Sequence, residues 1–397
     1  MKEFRIFGPP GTGKTTYLMR QVTRAVEVVG SDKVIVASFT RAAAAEIAGR
    51  ESPLAEHRVG TLHSFCYRAL GCPPIVNVKQ WNEFAPEYAL SGDGGVDLDE
   101  MGSEAIYSTT GDKLAAQAQL LRARMTPRHL WPLSVQAFQQ KWEEFKRETG
   151  TIDFVDMIEL ALRDVDTAPG EPLIGFFDEV QDFAPLELAL VRKWGAKMDI
   201  VLLAGDDDQA IYSFKGAKPD AFLNPPIPEE QKRILKQSHR VPRAIQALAQ
   251  AWISRISTRQ PKEYRPTDRE GEVRRLNVGS WRNPEPLIDD AERYLTEGKT
   301  VMFLATCSYM LDPLIRSLRK RAIPFHNPYR RKRGDWNPLR VGSEKRKTTA
   351  DRVLAFLRVD YNRWDPSWTP GCGKDCFVWT GDDLLAWLDL VQASKVL

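Results

Sequence analysis

Four short, nearly unbroken apolar runs punctuate the first half of the chain, at residues 4–7, 34–37, 173–177 and 200–204. Each reads as a strand buried on both faces. Helical spacing of apolar positions follows the first run, over residues 15–28, and the second, over residues 41–50. Buried strands separated by helices predict an α/β fold: a parallel sheet with helices on both sides.

Between residues 71 and 170 the strand signal vanishes. Segments 112–124 and 134–148 have helical patterns, and Ser91-Gly92-Asp93-Gly94-Gly95 reads as a loop. A helical insertion into the sheet domain accounts for this change. The proline-rich Asn224-Pro225-Pro226-Ile227-Pro228 reads as a linker to a second unit, with strands expected at 273–278 and 301–306 and helices at 242–253 and 309–321. Beyond about Pro328 the chain is basic and rich in tryptophan, although residues 351–357 and 381–390 keep helix-like apolar spacing. The expected division is therefore residues 1–74 with 171–222, an insertion at 75–170, a partial second unit at 223–328, and a tail at 329–397.

Composition narrows the class. A chain of 397 residues is too long for one ordinary core, which predicts two or three domains. With 43% hydrophobic and 27% charged residues it reads as globular, and no segment offers the roughly 20 apolar residues of a membrane span. The N-terminal residues carry no apolar leader, so a cytoplasmic location is expected. Five cysteines, few and odd in number, fit a reducing compartment. The pair Cys372 and Cys376 lacks a second pair of ligands nearby, so no zinc site is expected. Net charge is only +3, but basic residues crowd positions 316–347. That region reads equally as a phosphate-attracting surface and as a solvated charged loop.

The first chemical signal is Gly8-Pro9-Pro10-Gly11-Thr12-Gly13-Lys14-Thr15-Thr16, placed between a strand and a helix. This is the phosphate-binding loop pattern. Its glycines let backbone N–H groups face phosphates, the following helix adds its positive end, Lys14 brings a charge, and Thr15 offers a hydroxyl to Mg²⁺. ATP and Mg²⁺ are thus the expected cofactors. The second signal is Asp178-Glu179-Val180-Gln181-Asp182 at the end of an apolar run. Adjacent carboxylates leave a strand on opposite sides, so Asp178 is assigned to Mg²⁺ and Glu179 to the attacking water as general base. An ordinary helix cap would explain one of these acids, not the run.

Further segments complete an ordered set. They are Ser38-Phe39-Thr40-Arg41-Ala42-Ala43-Ala44-Ala45-Glu46, Val59-Gly60-Thr61-Leu62-His63-Ser64-Phe65, Ile152-Asp153-Phe154-Val155-Asp156-Met157, Gly205-Asp206-Asp207-Asp208-Gln209-Ala210-Ile211-Tyr212-Ser213-Phe214-Lys215-Gly216-Ala217, and Leu235-Lys236-Gln237-Ser238-His239-Arg240. Together with the two chemical signals they resemble the UvrD/Rep/PcrA-type superfamily 1A DNA helicases. The likeness runs well to about residue 240 and loosely to about 330. It implies a RecA-like P-loop NTPase domain with a helical insertion, followed by a second, incomplete RecA-like domain. It also implies that Gln209 senses the γ-phosphate and that Arg240 reaches it as an arginine finger from the second motor domain. Phe39, Thr40, Thr61, His63, Tyr212, Phe214 and Lys215 match positions lining the family's single-strand groove, where aromatic faces stack on bases. Read singly, Phe39 is as easily a core residue and Arg240 an ordinary surface arginine.

The chain departs from the family in three ways. Only seven residues precede Gly8, leaving no room for the upstream glutamine motif that reads adenine; Phe214 stands where tryptophan is common; and motifs V and VI are not found. The expected activity is an ATP-dependent helicase or translocase on single-stranded DNA or a single/double-strand junction, with 3′-to-5′ polarity implied by the resemblance alone. The alternative is an ATP- and DNA-binding module with little turnover, one part of a split or truncated helicase whose missing motifs come from a second chain. A small-molecule kinase is disfavoured by the Asp-Glu-x-Gln-Asp and Gly-Asp-Asp-Asp-Gln runs.

Overall fold

The computed structural model of the chain describes residues 2–39, 53–91, 109–276, 280–321 and 323–327. Six strands form one sheet: β1 (Lys2–Phe7), β2 (Val34–Ser38), β3 (Val59–Thr61), β4 (Ile174–Asp178), β5 (Ile200–Gly205) and β6 (Lys232–Ile234). Their order is β3-β2-β4-β5-β1-β6, and every pairing is parallel. The helices are α1 (Lys14–Val29), α2 (Leu62–Ala69), α3 (Val78–Phe84), α4 (Thr110–Ala123), α5 (Leu133–Thr149), α6 (Phe154–Asp164), α7 (Pro185–Gly195), the short α8 (Pro219–Leu223) and α9 (Arg243–Ile253). The α/β parallel sheet read from the apolar runs is present.

The four expected strands are the four inner ones. Ile6, Val34, Val36, Phe176, Leu202 and Ala204 face a core shared with Leu18 and Val22 of α1. The alternate residues Phe7, Ile35, Ala37, Phe177 and Leu203 face a second core built with α2, α6 and α7. Burial on both faces is why these strands read as nearly continuous apolar runs; in β1 the buried Arg5 interrupts the run and is paired with Glu3. The edge strands β3 and β6 were not anticipated. Each has three residues, and Gly60, Lys232 and Arg233 dilute any apolar signature.

The insertion is helical, as expected, and has its own core. Trp81 of α3 packs edge-on against Trp142 and Phe145 of α5, with ring centroids 4.7 and 5.5 Å apart. Within residues 75–170, α4 and α5 meet the start of α6 through a buried ionic cluster. Arg122 donates to Asp153 at 2.8 Å and to Asp156 at 2.5 Å, and Lys146 donates to the same two carboxylates at 3.0 and 2.5 Å. Asp153 also caps α6 reciprocally with Asp156 and accepts from the Trp142 indole at 2.7 Å. Burial alone would raise the Asp153 pKa, but Arg122 and Lys146 outweigh it and hold the carboxyl well below the usual range. The Asp-Phe-x-Asp segment therefore works as a joint.

The first compact unit runs through Arg274 and includes β6, α9 and Arg240. The three backbone pairings of β6 with β1 are the physical reason. Strands were expected at 273–278 and 301–306; the described residues there, 273–276 and 301–306, are irregular, and Met302 and Leu304 are exposed. Within the second unit, α10 (Glu285–Thr296) and α11 (Leu311–Lys320) pack Ile288 against Leu314 and Leu318. Arg321 ties the pair through Asp289, Glu292 and Glu285. The helix expected at 41–50, most of the Ser91–Gly95 loop and the segment beyond 327, with Cys372 and Cys376, lie outside the described residues.

Candidate active site

In an all-parallel sheet every strand ends at the same edge, and that edge is where open α/β sheets bind ligands. Here it collects the signal segments. Residues 8–13 leave β1, Phe39 leaves β2, α2 starts after β3, Glu179 follows β4, Asp206 follows β5 and Leu235 follows β6. Register aligns them: Phe7 lies opposite Gly205 and Ile234, and Ser38 lies opposite Thr61 and Asp178.

The loop after β1 is curled as its glycines predict. Gly11 and Gly13 take left-handed backbone angles, φ 74° and 79°. Thr12 closes the turn by donating its hydroxyl to the Pro9 carbonyl at 2.7 Å. Gly13 caps α1 without a side-chain bond, so the N–H groups of the first turn keep their capacity for an anion. Lys14 curls back and donates to the Gly8 carbonyl at 3.0 Å, with its ammonium 3.9 Å from Glu179 Oε2. A Cβ on Gly8 would collide with the Lys14 chain and lie 2.7 Å from Thr12 Oγ1. The loop thus forms a cradle that a side chain would fill.

The segment after β6 straps this loop. Ser238 Oγ and the Tyr264 hydroxyl both donate to the Pro10 carbonyl at 3.0 Å, and His239 N–H donates to Gly11 O at 2.8 Å. A Cβ on Gly11 would stand 2.6 Å from Arg240 Cβ. Arg240 therefore sits beside the loop within the same compact unit, where a reach from a second domain had been expected.

Asp178 ends β4 almost fully buried, while the Glu179 side chain keeps 37% of its surface exposed. Glu179 holds a left-handed backbone, φ 53° and ψ 41°, which is strained for a residue with a Cβ. Its N–H donates to Asp178 Oδ1 at 3.0 Å. Burial, and then the Glu179 charge, push the Asp178 carboxyl up to about 6, against the pull of Lys14 and of hydrogen bonding from Thr15. Asp182 is pushed up to about 7 by burial and by Glu179. These residues suit the groups expected here. The cradle and α1 terminus match a phosphate chain, and Thr15 with Asp178 presents hard oxygens to a divalent cation. Ser38 Oγ, on the residue directly opposite Asp178 in the ladder, is buried with no partner among the described residues.

The segment after β5 carries the aromatic residues. The Tyr212 ring lies 4.9 Å from Phe39 and 5.7 Å from Phe214, and the Lys215 ammonium stands 5.0 Å from Tyr212 and 5.6 Å from Phe39. Phe39, Tyr212, Phe214 and Lys215 thus form one row. Phe39 also touches Phe183, so it belongs partly to the core, as its single-residue reading allowed. Thr61 and His63 are engaged differently. Thr61 caps α2 by accepting from Ser64 N–H at 3.2 Å, and His63 lies 3.9 Å from Glu187 and edge-on to Phe154. Thr40 lies outside the described residues. Gln209 donates to Asp206 at 2.5 Å.

Sequence reasoning missed the residues that hold these segments. Lys262, whose side chain is only 1% exposed, reaches Asp206 at 3.0 Å, Asp208 at 3.0 Å and Asp207. Arg259 grips Asp208 with two bonds, 2.7 and 2.6 Å. Their partners lie some fifty residues earlier, and nothing local marks them. Gly216, φ 107°, lets the segment pass close to the end of α4: a Cβ there would stand 2.9 Å from Ala123 Cβ, and Arg124 donates to Ser213 O at 2.9 Å.

A phosphate-loop cradle, two carboxylates and a parallel sheet define a P-loop nucleotide-binding domain. Residues 2–215 match the AAA_19 family, described as an AAA domain, and the chain belongs to that family. Among curated proteins it is similar to the putative ATP-dependent DNA helicase YjcD of Bacillus subtilis (strain 168), 24% identical over 54% of this chain and 31% of that one. It is similar to DNA helicase II of Salmonella typhimurium (strain LT2), 25% identical over 64% of this chain and 38% of that one. A third relative is the ATP-dependent DNA helicase PcrA of Staphylococcus aureus (strain Mu50), 26% identical over 47% of this chain and 25% of that one. The UvrD/Rep/PcrA-type resemblance read from the motifs is borne out. The chain spans about a third of the length of these relatives.

Proposed function

We propose that the chain is a DNA-dependent ATPase of the helicase or translocase type, coupling hydrolysis at the β1 loop to a single DNA strand held on the aromatic row. The supporting observation is that one strand-end edge carries both the Lys14–Glu179 pair and the Phe39–Tyr212–Phe214 row, with residues 206–215 running between them. In this reading the N–H groups of residues 8–16 and Lys14 bind the phosphates of ATP. Thr15 and Asp178 hold Mg²⁺, which when bound neutralises phosphate charge. Glu179 orients the attacking water and takes its proton. Gln209 and Arg240 face the γ-phosphate end. The row stacks bases and Lys215 meets the backbone, with Thr40, Thr61 and His63 continuing the path. In this reading the polarity is 3′-to-5′, carried over from the motif resemblance, and the setting is cytoplasmic.

The test is steady-state phosphate release with and without a deoxythymidine oligonucleotide. The native chain should be stimulated, Glu179→Gln should lose hydrolysis at every DNA concentration, and Tyr212→Ala should weaken oligonucleotide binding about tenfold with nucleotide affinity kept. Nucleotide and DNA binding without turnover would favour the module that needs a second chain; absence of nucleotide binding would remove both readings.

A further inference from the structure

Gln181 is 3% exposed and lies between the two halves of this site. Its amide makes three bonds. Oε1 accepts from Asp206 N–H at 3.0 Å, and Nε2 donates to Glu179 Oε2 at 2.8 Å and to Asp182 Oδ2 at 3.1 Å. The partners dictate the orientation. A backbone N–H demands the oxygen, and two carboxylates demand the NH₂ group. A Cβ on Gly205 would fall 2.5 Å from Gln181 Oε1, so the glycine is what lets the amide reach the β5 end. Asp206 in turn accepts from Gln209 at 2.5 Å and is held by Lys262 at 3.0 Å. The short turn of residues 207–209 then leads directly into Tyr212 and Phe214.

We propose that Gln181 is a positioning residue that transmits occupancy of the aromatic row to Glu179. The inference rests on the function proposed above. Glu179 stands on a strained left-handed backbone with an exposed side chain, so its carboxylate direction depends on what grips it. One grip is Gln181, and the far end of the same amide is fixed to the first residue of the segment that carries the row. A base entering against Tyr212 and Phe214 shifts residues 206–209, and the rigid amide carries that shift to Glu179 Oε2.

The experiment uses the full chain with Gln181→Met, which keeps the volume and removes all three bonds, and Gln181→Asn, which keeps an amide too short to bridge both ends. Phosphate release is measured with and without saturating oligo-deoxythymidine, alongside the dissociation constants of a fluorescent ATP analogue and of the oligonucleotide. In both variants the ratio of stimulated to unstimulated rate should fall by about tenfold or more, with both affinities within about twofold of native. An unchanged ratio in variants of a stimulated native chain overturns the inference alone. So does a loss of both affinities or of folding in both variants, which would make Gln181 purely structural. A native chain without stimulation overturns the proposed function itself.

Discussion

Burying a carboxylate beside another carboxylate makes ionising it costly, and Asp178 and Asp182 both meet that condition around Glu179. Their ordinary value is 3.8, and in the fold they rise to about 6 and about 7. A raised carboxyl binds its proton more tightly when folded than when unfolded. The resulting stabilisation is full below the ordinary value and is lost as pH climbs through the folded value. The native chain should therefore become less stable between about pH 4 and 7 from these groups. Asp182→Asn removes one of them, so its melting temperature relative to native should be higher at pH 8 than at pH 5 by a few degrees. Thermal melts in chelator, without nucleotide, check this; a difference that stays constant with pH would refute it. The raised acids were not legible in the sequence. Asp178-Glu179 marks two carboxylates, but their burial comes from the elements packed over the β4 end.

Among the elements, the strands show where reading from pattern succeeds. β2, β4 and β5 are apolar up to their last residue because both faces are covered, and β1 buries the paired Glu3 and Arg5 among its apolar residues, whereas β3 and β6 sit at the edges and carry polar residues. The motif segments were equally legible, since each is contiguous. Their fastening was not. Lys262 is essentially sealed from solvent among Asp206, Asp207 and Asp208, and Arg259 adds the second charge to this cluster. Lys262→Met would leave three buried carboxylates against one arginine, and is expected to cost about 3–5 kcal/mol in urea unfolding. Adding Asp207→Asn should recover part of that loss. A cost under about 1 kcal/mol, typical of an exposed pair, would show that the cluster does not hold the segment.

For the whole molecule, the strand-end edge, the strap at Ser238 and Tyr264, and the Lys262 clamp all fall within the compact unit that runs through Arg274. A chain ending at Arg274 should therefore unfold cooperatively and bind a fluorescent ATP analogue within about threefold of the full chain. Calorimetry and nucleotide titration test this, and loss of nucleotide binding would place an essential part of the site further along.

By itself the sequence determined the α/β class, the inner strands, the helical insertion, the phosphate loop, the adjacent acids and the helicase-like motif order. All of these are written in contiguous residues or in a local period. Only the tertiary structure decided that Arg240 belongs beside the loop, that Gln181 bridges Glu179 to Asp206, and that Lys262 neutralises three aspartates. Those relations join residues far apart in the chain, and partners of that kind leave no mark on the local pattern of either one.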